Sequence, residues 1–204
     1  MSQKRVPAIF MRGGSSKGVF FHSSDLPEDK NSWDELFLSV LGSPDPYGRQ
    51  LNGMGGGISS LSKAVVISPP TRLDADVDYT FAQISVKDSV VDYSSNCGNL
   101  SSAVGPFAID TGLVEASGIK KEVRIHNTNS GKLIVSKVPL RDGLSEVVGD
   151  FSIPGVSGTG AKVQLDFLDP GGTRTGSLLP TGNTVDIITL PNAGDFEVSL
   201  VDAS

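Results

Sequence analysis

Two short apolar runs near the start of the chain, VPAIFM and GVFFH, flank the polar stretch RGGSSKG. Glycines that accept positive φ between two such runs predict a β-hairpin. The period then changes. Trp33, Leu36, Phe37, Val40 and Leu41 fall at helical spacing, with Ser32 and Glu35 placed as a capping box and Gly42 as the stop before Pro44. Residues 42–60 carry much glycine and no periodicity, and a loop of that length in a compact domain is usually functional or disordered. Residues 64–67 are continuously apolar. Residues 77–86 alternate, with Tyr79, Phe81, Gln83 and Ser85 on one face and Thr80, Ala82, Ile84 and Val86 on the other. Both segments read as strands. Helical spacing returns at Leu100, Val104, Phe107 and Ala108 and stops at Gly112, with Pro106 inside to kink the helix or leave a carbonyl unpaired.

Beyond Gly118 the alternation is that of strands: Val123 with Ile125, Leu133 with Val135, then Val163, Leu165 and Phe167, Val185 with Ile187, and Phe196, Val198 and Leu200. The second half is therefore expected to be mostly antiparallel sheet. Residues 169–180 are turn-rich, which puts a topological boundary near 170–185. No repeat of solenoid period is present. The 24 Gly and 12 Pro argue for many turns and against a helical bundle, while 38% hydrophobic residues suffice for a core. Seventeen basic against 23 acidic residues give a net charge of −6, so neither nucleic acid nor an anionic membrane surface is an expected partner. No apolar run approaches bilayer length, and MSQKRVPAIF lacks a signal peptide's apolar stretch, which reads as cytoplasmic. His22 and His126 lie too far apart along the chain to suggest a metal cluster with the single cysteine, and both are expected to be structural.

Three stretches carry candidate chemistry. In Ser94-Ser95-Asn96-Cys97-Gly98-Asn99 the lone cysteine stands at the first turn of the second helix. Free N–H groups and the helix dipole there favour a thiolate, the form that accepts a proton. Gly98 keeps bulk from the sulfur, and Asn96 and Asn99 can bond backbone or a ligand carboxylate; a buried, inert thiol is the plainer account. In GMGGGISSLSK the glycines, with Met54, Gly55 and Gly56 at their centre, let N–H groups approach an anion, and Ser59 and Ser60 add donors. Lys63, beside a buried run, could be desolvated into a base, or could be a solvated lysine at a strand end. The first turn, with Ser15, Ser16 and Lys17, fails the Walker A test because Gly18 follows the lysine, and residues 53–57 fail G-x-G-x-x-G. What remains is a cationic, hydroxylic turn suited to a small polycarboxylate, or an ordinary solvated hairpin. Asp45 and Arg49 fit substrate binding and a local loop cap equally well.

Taken in order, MRGGSSKGVFF, LGSPDPYGRQLNGMGGGISSLSKAVV, VDYSSNCGNLSSAVGPFAIDTGLV and VQLDFLDPGG resemble the 2-methylaconitate cis-trans isomerase family, PrpF. That family belongs to the diaminopimelate-epimerase-like superfamily, whose Asn-Cys-Gly-Asn element is matched by Asn96, Cys97, Gly98 and Asn99. The resemblance covers nearly the whole chain. It implies an α+β fold of two similar lobes, each a mainly antiparallel sheet curled around a central helix, with the site in the cleft between them. Family members are about twice this length, so residues 1–180 would be the first lobe, with 181–204 the crossover and start of a second lobe largely absent. It further implies a proton and double-bond shift in an unsaturated tricarboxylate such as 2-methylaconitate, without cofactor or metal, with Lys63 and Cys97 as the acid/base pair. Ser15, Ser16, Lys17, Met54, Gly55, Gly56, Ser59, Ser60, Asn96, Gly98 and Asn99 would contact substrate. N–H groups at the helix start and in residues 53–57 would meet the developing enolate charge. A 4-oxalomesaconate tautomerase and a methylitaconate-type isomerase fit the same motifs. Outside catalysis, a non-catalytic accessory fragment or a ligand-free structural domain is the alternative. An unpaired lobe face would also expose apolar surface and favour a homo-oligomer.

Overall fold

In a computed structural model, which describes residues 3–203, the chain forms two helices and eleven strands besides short 3-10 turns. Strands β1 (Ile9–Gly13) and β2 (Ser16–His22) make the expected hairpin, with Gly13 opposite Ser16. Helix α1 (Trp33–Leu41) leads to β3 (Lys63–Ser68), β4 (Val77–Ile84) and the short β5 (Val91–Asp92). Helix α2 (Gly98–Asp110) is followed by β6 (Lys120–Asn127), β7 (Lys132–Arg141), β8 (Leu144–Ser145) and β9 (Gln164–Leu168). A nine-stranded sheet runs β1-β2-β3-β4-β6-β7-β8, with β5 on β4 and β9 on β7. Neighbours are antiparallel except β2 with β3 and β4 with β6. Those two pairs are the ones joined through a helix, α1 and α2 respectively, and a parallel pair needs such a crossover.

The alternation read from the sequence divides the core. Phe20, Val65, Ile67, Tyr79 and Phe81 face α2, while Val19, Phe21, Ala64, Val66, Ala82 and Ile84 face α1. Helix α1 is amphipathic and buries Trp33, Phe37 and Leu41, one per turn. Helix α2 is buried on nearly every side, from Leu100 through Ile109, and packs on β1 and β2 as well as on β6 to β9. A sheet can touch one helix from both its ends only by curling around it. Pro106 lies mid-helix, yet α2 continues to Asp110, and Gly112 at φ 78° follows the cap residue Thr111.

At the front of α1 the structure differs from the capping box. Ser32 already has helical φ and ψ and caps nothing; its Oγ donates to Asp29 Oδ2 at 3.3 Å. Asp29 instead starts a 3-10 turn, Lys30–Ser32, that runs directly into the helix. Gly42 ends α1 as expected, left-handed at φ 76°. His126, expected to be structural, has a carboxylate partner in the sheet. The parallel β4–β6 register sets it opposite Asp78, Nδ1 to Oδ1 2.9 Å.

Strands β10 (Asp186–Leu190) and β11 (Gly194–Val198) form a separate hairpin with Ile187, Ile188, Leu190 and Phe196 exposed. Past it the chain returns: Asp202 accepts from the amides of Arg174 and Thr175, each at 2.8 Å. Among the described residues no helix is long and apolar enough to cross a membrane, and no group of three His, Cys, Asp or Glu could hold a metal ion.

Candidate active site

Lys63 opens β3 and alternates with Val65 and Ile67, so its side chain lies on the α2 face. It is 7% exposed, not a solvated strand end. Its Nζ donates to Gln83 Oε1 at 2.6 Å and stands 4.9 Å above the centre of the Phe81 ring. Gln83 is its register partner on β4, and its Nε2 donates in turn to the carbonyls of Ser62 (2.9 Å) and Ser59 (3.1 Å). A Cβ on Gly18 would lie 3.3 Å from Lys63 Cβ and 3.0 Å from Leu100 Cδ1. The stem of the lysine therefore runs beside the first turn of α2.

Cys97 is the residue that precedes this turn. It is 8% exposed, packs in the same cluster as Phe81 and Tyr79, and makes no side-chain cap. Its carbonyl accepts from the amide and hydroxyl of Ser101, each at 3.0 Å, and from the Tyr79 hydroxyl at 3.4 Å. Burial, and then the neighbouring Cys97, push the Tyr79 phenol well above its ordinary value, so it stays a neutral donor. The amides of Gly98, Asn99 and Leu100 donate to no acceptor among the described residues, and no acidic side chain occupies the first turn. Positive potential from these N–H groups is thus concentrated at the helix start that Cys97 precedes.

A cavity of about 500 Å³ opens at the same helix end, lined by Asn96, Gly98, Asn129, Ser130, Phe167 and Arg174 among others. Asn96 Oδ1 accepts from Asn127 Nδ2 at 3.0 Å, and the buried Asn127 also fixes Ser130. Asn129 bridges the backbones of Phe81 and Tyr93. These contacts pin the β6–β7 turn against the cysteine. Arg174, from the stretch that reads as a linker, donates to the Ser94 carbonyl at the cavity wall. A second cavity, about 560 Å³, lies beside the end of α1 and is lined by Asp45 and Arg49, but by no residue of the three stretches that carry the other candidates. Asp45 on its rim accepts from the amides of Tyr47, Arg49 and Gln50 at 2.9, 2.9 and 2.6 Å, which makes it a loop cap.

Several expected contacts fall elsewhere. The amides of residues 53–57 are all engaged within the chain: Gly53 with Gln50, Met54 with Val40, Gly55 with Leu41, Gly56 with Leu61, and Gly57 with the Gln50 side chain. The amides of Met54, Gly55 and Gly56 are not free to meet substrate charge, because the carbonyls of Val40, Leu41 and Leu61 already accept from them, and Gln50 holds the residues on either side. In the same stretch the amides of Ser59 and Ser60 have no acceptor among the described residues. Lys17 alternates with Val19 and Phe21 onto the α1 side, opposite Lys63 and Cys97, whereas the buried Ser16 shares the face of Phe20. Asn99 Oδ1 accepts from the amide of Ser15 at 3.3 Å, so the first turn docks on the start of α2. Gln50, Gln83 and Asn127 escaped the sequence reading. Only Gln83 left a trace there, as a polar residue on the aromatic face of β4.

The PrpF protein family matches residues 3–204. The chain is 49% identical over 202 residues to the 3-methylitaconate isomerase of Eubacterium barkeri, covering 99% of this chain and 52% of that relative. It is 47% identical to the 2-methyl-aconitate isomerase of Cupriavidus necator (98% and 54%) and 47% identical to the 4-oxalomesaconate tautomerase of Pseudomonas putida (92% and 52%). A crystal structure of methylitaconate-delta-isomerase superposes with a TM-score of 0.86 at 50% identity, over 98% of this chain and 51% of that one. A probable proline racemase from Agrobacterium radiobacter, 15% identical, shares the fold at a TM-score of 0.51, over 95% of this chain and 48% of that one. The lobe has the diaminopimelate-epimerase-like α+β fold, and the chain spans about half the length of the curated relatives it matches. Matched from its third residue to its last, and sharing nearly half its positions with three such relatives, the chain belongs to the PrpF family.

Proposed function

We propose that this lobe carries the acid/base pair of a cytoplasmic, cofactor-independent isomerase that shifts a proton, and with it a double bond, in an unsaturated tricarboxylate such as 2-methylaconitate. The observation that carries the proposal is the common setting of Lys63 and Cys97. Both are buried on the α2 face of the sheet around Phe81, at a helix end whose first amides are free. One of the two removes a proton beside a carboxylate, and the other returns one at a different carbon, so no electron leaves or enters. The enolate-like charge formed between these steps meets the amides of Gly98, Asn99 and Leu100. Ser16, Ser59, Ser60 and Asn96 supply donors for the carboxylates, and residues 181–204 lead into a second lobe that closes the cleft.

The names of the relatives differ in substrate but share an unsaturated acid. A 3-methylitaconate or a 4-oxalomesaconate substrate is the nearest alternative. The test is solvent-deuterium incorporation into 2-methylaconitate, 3-methylitaconate and 4-oxalomesaconate, in this chain and in the same chain completed to its relatives' length. Exchange should vanish in Lys63→Ala and in Cys97→Ala while the fold persists by circular dichroism. Full exchange in either variant removes that residue from the mechanism.

A further inference from the structure

Gln83 sits on a face of β4 otherwise given to Tyr79 and Phe81, and both ends of its amide are held. Its Nε2 points at three carbonyl oxygens, Ser62 at 2.9 Å, Ser59 at 3.1 Å and Ile84 at 3.4 Å, which only accept. The amide cannot flip without facing oxygen with oxygen, so Oε1 is fixed toward Lys63 Nζ at 2.6 Å. An amide oxygen accepts and never donates. A neutral amine keeps that contact only through one of its N–H bonds, and its lone pair then lies along another tetrahedral direction.

We infer that Gln83 is a positioning residue that accepts one N–H of Lys63 and so turns the working position of the amine, lone pair or proton, away from β4. The inference rests on the reading that Lys63 transfers protons. Gln83 touches no substrate; it acts through the lysine. Its donor end meanwhile ties the Ser59–Leu61 turn to the same strand, so the serine donors and the amine keep a fixed relation.

Two variants separate positioning from simple support of the turn. Gln83→Met removes acceptor and donor together. Deuterium exchange should fall about 10- to 100-fold with KM changed less than about threefold, the signature of a misaimed group rather than lost binding. Gln83→Glu keeps an oxygen for Lys63 but faces its other oxygen with three carbonyls, a placement tolerated only while the carboxyl is protonated. Its rate should recover toward wild type at acid pH and fall as pH rises, because the ionised carboxylate repels the carbonyls and holds the amine as ammonium. A Glu variant as poor as Met at every pH would mean that Gln83 only supports the turn. Apart from any reaction, the Lys63 Nζ signal in 15N-lysine-labelled protein, assigned with Lys63→Arg, should exchange faster with water in Gln83→Met. An unchanged signal overturns the inference. Full exchange of substrate in Lys63→Ala overturns the proton-transfer reading itself. Loss in Lys63→Ala beside wild-type turnover in Gln83→Met sinks the positioning role alone.

Discussion

The start of α2 and the loop of residues 53–57 both present backbone amides on glycine-bearing sequence, and their amides have opposite fates. At α2 the first three N–H groups have no acceptor among the described residues, since the preceding residues lie outside the helix and no side chain caps it. In the loop every amide from 53 to 57 is engaged, two of them by the backbone and the side chain of one residue, Gln50. Gln50 is 1% exposed, left-handed at φ 52°, and also accepts from Ser62 Oγ at 2.6 Å. Glycine at 55 thus serves close packing: a Cβ there would fall 2.2 Å from Gln50 Oε1. At Gly98 a Cβ would meet nothing nearer than Phe167 Cζ at 3.8 Å. Glycine richness marks backbone approach. Whether the approaching partner is a ligand or the protein itself is decided by the fate of the amides.

The largest expected effect tests which region holds the chemistry. Cys97→Ala and Lys63→Ala should each lower deuterium exchange by about 10²–10⁴-fold. Met54→Ala, in the self-closed loop, should leave it within about threefold. A loss in Met54→Ala comparable to the cysteine variant would break the contrast. Stability should divide the other way. Gln50→Leu strands the Gly57 amide and takes the donor from the Ser43 hydroxyl, while Ser62 keeps the Ile58 carbonyl, and should cost about 2–4 kcal/mol by urea titration. Gly55→Ala should cost about 1–3 kcal/mol through overpacking. Gly98→Ala should stay within about 0.5 kcal/mol, so equal losses at 55 and 98 would erase the distinction.

Much of this lobe was legible in its sequence because burial on both sheet faces enforces strict alternation. Tyr79 and Phe81 against Ala82 and Ile84 could be assigned to opposite layers from period alone. For Cys97 and Lys63 the local pattern leaves an inert thiol and a solvated strand end open, and it is the family resemblance that singles them out as an acid/base pair; the structure adds that both are buried. What escaped depends on polar side-chain contacts that no hydrophobic period encodes. Gln50 bonds the glycine loop, Gln83 turns to Lys63 across two strands, and Asn127 reaches Asn96 over 31 positions. Lys17 falls under the same reason: the turn's charge reads as a unit, whereas alternation sends Ser16 and Lys17 to opposite faces. Lys17→Met should therefore change KM by less than about twofold, while Ser16→Ala should raise it more. The reverse order would return Lys17 to the site.

The smallest effect comes from Asp45, which binds the loop without touching the site. Hydrogen bonds from the backbone amide of Tyr47, then Arg49 and Gln50, hold its carboxyl below the ordinary value of 3.8. A carboxyl whose folded value is depressed adds stability that is fully present above the unfolded value and is lost as pH falls through the folded one. In Asp45→Asn that charge-dependent part is absent at every pH. Amide exchange at Tyr47, Arg49 and Gln50 should thus be faster in the variant near neutral pH, and the gap should close as pH falls below the ordinary carboxylate range. A gap that stays constant from about pH 6 to pH 2 would show that the amides are held without the ionised carboxyl. Substrate exchange near neutral pH should be the same in both proteins, because the amides that Asp45 organises belong to the region that binds itself.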